Sequence, residues 1–268
     1  MLLEQPITPS APADYERLGY IGPSRAIASQ VAQQMATKVQ LSNSPSRASA
    51  GLWRRIANRV GLQTSDKADI YNRHLNWPAM ADLATNAAIL DTVASALGPD
   101  LMLWRSMIFV QQGTRADSLG WHRDFYPAVV KDPRKQVSVQ VALTPTTKNN
   151  SMELVAGTQG LDNNELHSEH GLLCSSPEGH SGNTSFEVSG ESLSLAKVIL
   201  EPGEFLLFHP ELVHRSSLSK ANTTSLRVCV TFRYTTSDNI KSVNSPCCLV
   251  RGGSDDQLNK NNGDRDWR

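Results

Sequence analysis

The first hundred residues carry the spacing of apolar side chains that amphipathic helices require. Between residues 26 and 39, Ile27, Val31, Met35 and Val39 recur at helical intervals. Two further helices are predicted at about residues 50–60 and 78–97, and Gly98-Pro99 ends the last one. The pattern therefore predicts a helical layer over about residues 15–98.

From residue 101 the pattern changes to that of β-strands. Residues 101–112 form an apolar run, and residues 137–144 alternate between two faces. Valine and leucine occupy one face of that second strand, and Ser138, Gln140, Ala142 and Thr144 occupy the other.

Two more strands are predicted at residues 203–208 and 226–234. In the second of these, Arg227 and Arg233 share the face opposite to that of the large apolar side chains. Short strands separated by turn residues favour a closed or sandwiched β-core, with the helices packed on one side. The predicted fold class is mainly β with flanking helices.

These elements predict a single domain over residues 1–240, with its β-core at about residues 100–235. A polar stretch rich in serine, glycine and asparagine at about residues 161–200 interrupts that core, and its length is typical of a lid-like insertion. Residues 241–268 are polar and are expected to form a mobile tail.

Composition narrows the classes of partner. The chain of 268 residues has 26 basic and 26 acidic side chains and no long basic block, so we expect no nucleic-acid partner. No apolar stretch is long enough for a membrane span, and the N-terminus lacks the pattern of a signal peptide. The four cysteines form no regular framework, which favours reduced thiols and a cytoplasmic location.

The candidate chemistry begins at His122 and Asp124, which are two residues apart. On an extended strand such side chains point to the same face, roughly 7 Å apart, and can converge on one ion. A third ligand must come from a distant strand; His214, after the strand at residues 203–208, is the candidate, and His209 is its competitor. Two imidazoles and one carboxylate leave coordination positions open on Fe(II), which makes an oxygenase the first hypothesis.

Several segments carry a family resemblance in order along the chain. They are Trp121-His122-Arg123-Asp124, Ala142-Leu143-Thr144-Pro145, Val155-Ala156-Gly157-Thr158, residues 203–208, His214-Arg215-Ser216 and residues 222–227. Together they resemble the Fe(II)/2-oxoglutarate-dependent dioxygenases of the phytanoyl-CoA hydroxylase-like family. Tyr71-Asn72-Arg73-His74-Leu75, with Leu97-Gly98-Pro99 and Leu103-Trp104-Arg105, resembles more narrowly the branch of non-haem iron halogenases and hydroxylases that modify natural products and amino acids.

This resemblance implies a double-stranded β-helix, the cupin-like jelly roll, with iron held by His122, Asp124 and His214. The arginine that binds 2-oxoglutarate in the family falls on Arg227, thirteen residues after His214, and a small hydroxyl residue falls on Ser216. A guanidinium suits this role because its planar fork can donate two hydrogen bonds to a carboxylate. Strand parity alone leaves Arg233 as an alternative to Arg227, since the two share a face.

Further contacts follow from the resemblance and from positions along the chain. Gln140 stands where relatives of the halogenases carry a tryptophan near the cosubstrate, so it would offer hydrogen bonds there. Phe109 and Gln111, on the strand before His122, are expected to line the pocket. Trp104, Phe125 and Tyr126 are further candidates for the pocket wall, although large side chains at such positions are more often part of the core.

Asp124 bears on the reaction. In the halogenases that the chain resembles, a glycine or alanine replaces the ligand carboxylate and opens a position for chloride, whereas Asp124 keeps it filled. The resemblance therefore implies O₂-dependent oxidation of an unactivated C–H bond, by hydroxylation, desaturation or cyclisation, with succinate and CO₂ as coproducts. The expected substrate is a small specialised metabolite, amino acid or peptide, either free or bound to a carrier protein.

Two other classes use a similar set of residues. A zinc hydrolase of unrelated fold can hold its metal with two histidines and an aspartate, but it does not require an arginine at a fixed distance after the last ligand. A cupin-like binding domain would use the barrel as a pocket without turnover, and the intact ligand set argues against it.

Overall fold

The computed structural model describes residues 12–43, 70–112, 120–124, 126, 128–161, 167–168, 186–188, 191–216, 226–241 and 247–252. Its helices precede most of the strands. They are α1 (Pro12–Leu18), α2 (Ser29–Asn43), a 3-10 turn (Arg73–Leu75), α3 (Pro78–Ala84) and α4 (Ala87–Leu97). No helix of the described residues is both long and apolar enough to cross a membrane.

The predicted helices are confirmed in part. The periodic stretch at residues 26–39 is helical from Ser29 onward, as α2. The single helix expected at residues 78–97 is instead two helices, because the Asn86 side chain accepts a hydrogen bond from the Ala88 backbone N–H (3.0 Å) and begins α4 anew. The helix predicted at about residues 50–60 lies outside the described residues.

Six antiparallel strands form the large sheet. In spatial order they are β1 (Tyr20–Arg25), β9 (Glu204–Phe208), β3 (Gln136–Ala142), β11 (Leu226–Thr236), β2 (Leu101–Gln112) and β12 (Cys248–Arg251).

The two edge strands of this sheet, β1 and β12, lie outside the predicted bounds of the β-core. β1 lies within the expected helical layer, and its register shifts between Ile21 and Ser24, where Gly22-Pro23 breaks the strand pattern of the sequence. β12 lies within residues 241–268, which were expected to form a mobile tail, and it pairs with the first residues of β2. Both strands therefore belong to the sheet.

A small sheet has the order β10 (Val213–Ser216), β4 (Met152–Val155) and β8 (Leu195–Val198). The predicted insertion at residues 161–200 is corrected at its C-terminal end, because β8 lies within these residues and pairs with β4 in the core. Three short strands, β5 (His167–Ser168), β6 (Phe186–Val188) and β7 (Glu191–Ser192), form a separate sheet within that insertion.

Alternation along the strands creates two apolar layers. Val137, Val139 and Val141 of β3 pack with the helices on the outer face of the large sheet. On its inner face, Leu206 and Phe208 of β9 pack with residues of the small sheet, so the two sheets enclose a second apolar cluster. The polar side chains of the inner faces are thereby placed between the sheets.

Candidate metal centre

His122 and His214 are joined by their backbones. The His122 N–H donates to the His214 carbonyl (2.9 Å), and the His214 N–H donates to the His122 carbonyl (3.0 Å). The Asp124 N–H donates to the carbonyl of Pro210 (2.7 Å), which holds the same extended segment against the turn before β10. As a result, one ligand atom from each of His122, Asp124 and His214 lies within 4.8 Å of the others.

Backbone carbonyls orient both imidazoles. His122 Nδ1 lies 2.7 Å from the Gly120 carbonyl oxygen, and His214 Nδ1 lies 2.8 Å from that of Leu212. Because a carbonyl can only accept, each Nδ1 carries the proton and each Nε2 keeps a lone pair for a metal. Burial also lowers the pKa of His214 to about 4, so this imidazole is neutral near pH 7.

His209 does not join this cluster. Its Nδ1 accepts a hydrogen bond from the Glu211 backbone N–H (3.1 Å), and its ring lies 5.9 Å from that of Tyr15. Of the two candidate histidines near β10, the geometry therefore favours His214 as the third ligand.

Asp124 is held by three side chains. Ser138 Oγ donates to its Oδ2 (2.9 Å), the Tyr126 hydroxyl donates to its Oδ1 (3.1 Å), and Arg233 Nη2 lies 3.1 and 3.2 Å from the two oxygens. Burial alone would raise the pKa of Asp124, but the charges of Arg233 and of the two histidines, with the Arg233 hydrogen bond, bring that pKa far below its usual value. Asp124 is therefore a carboxylate at any ordinary pH.

The role of these side chains as supports of Asp124 could not be predicted from the sequence. The sequence pattern places Ser138 on the polar face of β3 and makes Arg233 an alternative to Arg227, without indicating a partner for either. Tyr126, expected in the pocket wall, instead bonds to the ligand carboxylate. The usable signal was the parity of β3 and β11, which places Ser138 and Arg233 on the inner faces.

Arg227 and Arg233 differ in their charged partners. Arg227 is 2% exposed, and its Nη1 donates to Gln111 Oε1 (2.9 Å), the residue opposite to it on β2. Its Nε has no hydrogen-bond partner among the described residues. Arg233 is paired with the Asp124 carboxylate, although its Nε and Nη1 also have no hydrogen-bond partner among the described residues. Arg227 has no ion pair among those residues, so its positive charge is the one that an anionic ligand of the cavity would neutralise.

A cavity between the sheets connects the three candidate ligands with Arg227. Its wall contains Phe109, His122, Asp124, Gln140, Met152, Phe208, His214, Ser216, Arg227, Thr231 and Arg233. Of the predicted contacts, Phe109, Gln140 and Ser216 lie in this wall, and Gln111 reaches it through Arg227. Phe125 lies outside the described residues, and Trp104 packs edge-on to Tyr126 (5.2 Å) beside Asp124.

The chain resembles a known family of proteins over most of its length. The sequence description of phytanoyl-CoA dioxygenase (PhyH) matches residues 15–227. The chain belongs to this family. The zinc hydrolase of unrelated fold, considered from the ligand types alone, is therefore wrong as to fold. No curated protein matches the chain at a significant level.

Solved structures show the same fold. A non-heme monooxygenase in a ThoJ–Ni complex is 22% identical over 90% of this chain and 84% of its own, with a TM-score of 0.65. CytC3 with Fe(II) and alpha-ketoglutarate is 18% identical, with coverages of 95% and 92% and a TM-score of 0.60. SnoK, an alpha-ketoglutarate-dependent carbocyclase from nogalamycin biosynthesis, is 14% identical, with coverages of 93% and 89% and a TM-score of 0.58.

These likenesses confirm the predicted fold class. The two facing sheets are the jelly-roll core of this PhyH-family protein, and the helices cover the outer face of the large sheet.

Proposed function

We propose that this protein is an Fe(II)- and 2-oxoglutarate-dependent oxygenase that oxidises an unactivated C–H bond of a small specialised metabolite, amino acid or peptide. The observation that carries the proposal is the cluster of His122, Asp124 and His214, whose ligand atoms lie within 4.8 Å of one another beside a buried arginine with an unpaired Nε. Family membership supports it, because the cluster lies in a phytanoyl-CoA dioxygenase domain.

The residues fit a ferrous ion. Two neutral imidazoles and one carboxylate are the donor set of mononuclear non-haem iron sites, and they leave positions open for other ligands. The three donors come from one side of the cavity, and each imidazole presents Nε2 because a carbonyl holds its Nδ1. Ser138, Tyr126 and Arg233 keep the Asp124 carboxylate ionised and fixed in orientation.

The residues also fit 2-oxoglutarate. Arg227 can donate from its Nε and from its remaining terminal N–H groups to the distal carboxylate of a dicarboxylic acid. Ser216 and Gln140 lie in the same wall, and the Gln140 amide nitrogen has no partner among the described residues. We assign these three residues, with Gln111 positioning Arg227 and Phe109 closing the wall, to the cosubstrate pocket.

When bound, the iron with 2-oxoglutarate and O₂ supplies an oxidant that removes hydrogen from a C–H bond, and succinate and CO₂ are the coproducts. The chain's own residues hold the cosubstrate, orient the ligands and exclude water from the cavity. Phe208 contributes to that exclusion, because its ring packs edge-on to the His214 imidazole at 5.0 Å.

The type of oxidation is part of the proposal. The related structures bear the names of a monooxygenase and a carbocyclase, so one fold serves several outcomes. Asp124 favours an oxygenase over a halogenase, because a carboxylate fills the position that a halide would need. Hydroxylation is the outcome that we propose first, with desaturation or cyclisation from the same hydrogen removal as its alternatives.

The test uses the purified protein under anaerobic conditions. Addition of Fe(II) and 2-oxoglutarate should produce a weak visible charge-transfer band, and exposure to air should then release succinate. Arg134→Met serves as a control variant, because it changes an exposed arginine whose side chain bonds to Asp132, and it should behave as the wild type does. Absence of both the band and succinate in the wild type would reject the oxygenase assignment.

A screen of candidate substrates then addresses the reaction. Free amino acids, carrier-bound aminoacyl groups and small peptides are offered in turn, and succinate release is compared with the mass change of each compound. A gain of one oxygen atom indicates hydroxylation, and a loss of two hydrogen atoms indicates desaturation or cyclisation.

A further inference from the structure

Arg105 faces the same side of β2 as the cosubstrate pocket. On this strand Phe109 lines the cavity and Gln111 bonds to Arg227, and no irregularity interrupts the register between residues 105 and 112. Side chains alternate along a strand, so Arg105 projects from the same face, at the end remote from Arg227. The residue opposite to it on β11 is Arg233.

Two tyrosine rings enclose the Arg105 guanidinium. Its Cζ lies 4.9 Å from the centre of the Tyr71 ring and 5.8 Å from that of Tyr126. Tyr126 in turn lies 4.7 Å from Arg233 Cζ and donates its hydroxyl hydrogen to Asp124. Tyr126 is therefore a ring that Arg105 shares with the arginine of the metal centre, and its hydroxyl reaches the carboxylate there.

The charge of Arg105 is not compensated within the described part of the chain. Arg233, its cross-strand neighbour, is paired with Asp124, whereas Arg105 has ring contacts but neither a hydrogen bond nor an ion pair. Like charges directly opposite each other on neighbouring strands are unfavourable. An anion next to Arg105 would remove that imbalance.

The segment that carries Tyr71 is fixed by buried polar bonds. The Asn72 N–H donates to the Ser106 carbonyl (2.8 Å), and the buried His74 ring nitrogen Nδ1 lies 2.7 Å from Ser106 Oγ. Asn72 itself has a φ of 52°, a left-handed conformation that a non-glycine residue adopts at some cost. This turn directs Tyr71 over Arg105, and no hydrogen bond of the Tyr71 hydroxyl is found among the described residues.

We infer that Arg105 and the Tyr71 hydroxyl bind a carboxylate group of the substrate. This inference rests on the proposed function and names the substrate class for it: a carboxylic acid whose oxidised carbon reaches the candidate metal centre. A planar guanidinium edge and one hydroxyl match the two oxygens of a carboxylate. A phosphate monoester, with three terminal acceptor oxygens that share up to two negative charges, would call for more donors than this corner offers.

The charges of the loaded site agree with an anionic substrate. Fe(II), if held by the candidate ligands, would together with Arg233 exceed the charge of Asp124, and Arg227 would pair with one of the two negative charges of 2-oxoglutarate. Arg105 then adds a further positive charge on the substrate side of the centre, within a partly buried environment where charge pairing is stronger than in water. A neutral substrate would leave this charge without a counterion.

The binding test uses protein loaded anaerobically with Fe(II) and saturating 2-oxoglutarate, so that added acids cannot occupy the cosubstrate pocket. Hexanoate, hexanamide and hexyl phosphate are titrated by isothermal calorimetry. We expect hexanoate to bind the wild type about tenfold or more tightly than hexanamide, as one charge-assisted pair implies. Arg105→Met should abolish that preference, and Tyr71→Phe should reduce it severalfold.

Arg73→Met is the matched control. It removes an equal charge from the same segment, but Arg73 lies over Trp77 and not at the metal centre, so the preference for hexanoate should persist. The affinity for 2-oxoglutarate, measured separately, should be unchanged in Arg105→Met. Equal binding of acid and amide by the wild type, an unchanged preference in Arg105→Met, or a preference for hexyl phosphate would each overturn the inference. Failure of the wild type to bind 2-oxoglutarate would instead count against the proposed function.

Discussion

Two arginine–carboxylate pairs are buried in the part of the chain that the structure describes, one inside the barrel and one on the outer face of the small sheet. Inside, Arg233 meets Asp124 at 3.1 Å; outside, Arg215 meets Glu153 at 2.6 Å. The outer carboxylate has a second cation, Lys197, at 3.8 Å, whereas the remaining partners of the inner carboxylate are hydroxyl groups.

This difference shows how one chemical pair can serve two purposes. The outer carboxylate is surrounded by cations and can hold β10 against β4 without a metal. The inner carboxylate has one guanidinium and two imidazoles with free Nε2 atoms, and it therefore retains the capacity to bind a further cation.

The outer pair also packs against the segments that carry the candidate metal ligands. Arg215 follows His214 on β10, and its guanidinium lies 4.4 Å from the ring of Trp121, which precedes His122. The backbone bridge between His122 and His214 thus carries the candidate ligands on its inner side and this packing on its outer side.

The largest expected effect comes from replacing the carboxylate of each arginine–carboxylate pair. Asp124→Asn and Glu153→Gln each leave a buried arginine without its charged partner, so each should lower the free energy of unfolding by about 3–5 kcal/mol. Only Asp124→Asn should reduce succinate release to background, because it removes an anionic metal ligand. Urea unfolding and a succinate assay measure both quantities, and retained turnover in Asp124→Asn would exclude this triad.

The next effect compares Arg227 with Arg215. Arg227→Met should weaken 2-oxoglutarate binding about 100-fold, since the distal carboxylate loses two charge-assisted hydrogen bonds. Arg227→Lys keeps the positive charge without the planar guanidinium, so its affinity for 2-oxoglutarate should lie between those of Arg227→Met and the wild type. Titration of the anaerobic visible band gives the dissociation constants. Arg215→Met should bind 2-oxoglutarate normally; the assignment fails if its loss equals that of Arg227→Met.

A smaller effect concerns Arg233. This guanidinium holds the pKa of Asp124 low, so its replacement in Arg233→Met should raise that pKa and weaken Fe(II) binding about 10- to 100-fold. The loss should grow as the pH falls, because a protonated Asp124 no longer binds the metal. Fe(II) titrations at several pH values measure this shift, and a variant with the wild-type pH dependence would contradict it.

The smallest effect extends the comparison to the histidines. Burial lowers the pKa of His74 and of His214 to about 4, so the unfolded chain binds protons below pH 6.5 that the folded chain does not. Stability without metal should therefore fall between pH 7 and pH 5, by about 2 kcal/mol for each imidazole.

His74→Gln tests the contribution of His74 to this pH dependence of stability. It removes one titrating group remote from the candidate ligands, so its unfolding free energy in the presence of a chelator should depend less steeply on pH. Urea unfolding at pH 7 and pH 5 provides the comparison. An equal slope in the variant and the wild type would show that His74 does not contribute.

Strand parity made the inner face of the barrel predictable. Period-two alternation in β11 placed Arg227 and Arg233 on one face, and the structure finds both at the cavity. Parity alone could not distinguish between them, and the preference for Arg227 came from its spacing after His214 and from the family resemblance. The pairing of Arg233 could not be predicted, because it depends on Asp124, which lies on another segment and bonds to Arg233 across the barrel.

The edge strands show the limit of local patterns. β1 is interrupted by Gly22-Pro23, and β12 has four residues before a polar segment, so neither produces a long alternating run. Their strand conformation depends on the neighbours that they pair with, β9 and β2, and that pairing is a tertiary property. The resemblance to a known family, in contrast, identified the jelly roll correctly.

The two-sided burial of β3 has a consequence for protein engineering. Its valines pack under the helices, while Ser138 and Gln140 face the candidate iron and cosubstrate pocket. A combinatorial library restricted to Gln140 and its inner-face neighbour Thr231 would vary the reaction chamber and leave the scaffold's packing untouched. Selectivity could then be evolved on this strand separately from thermal robustness.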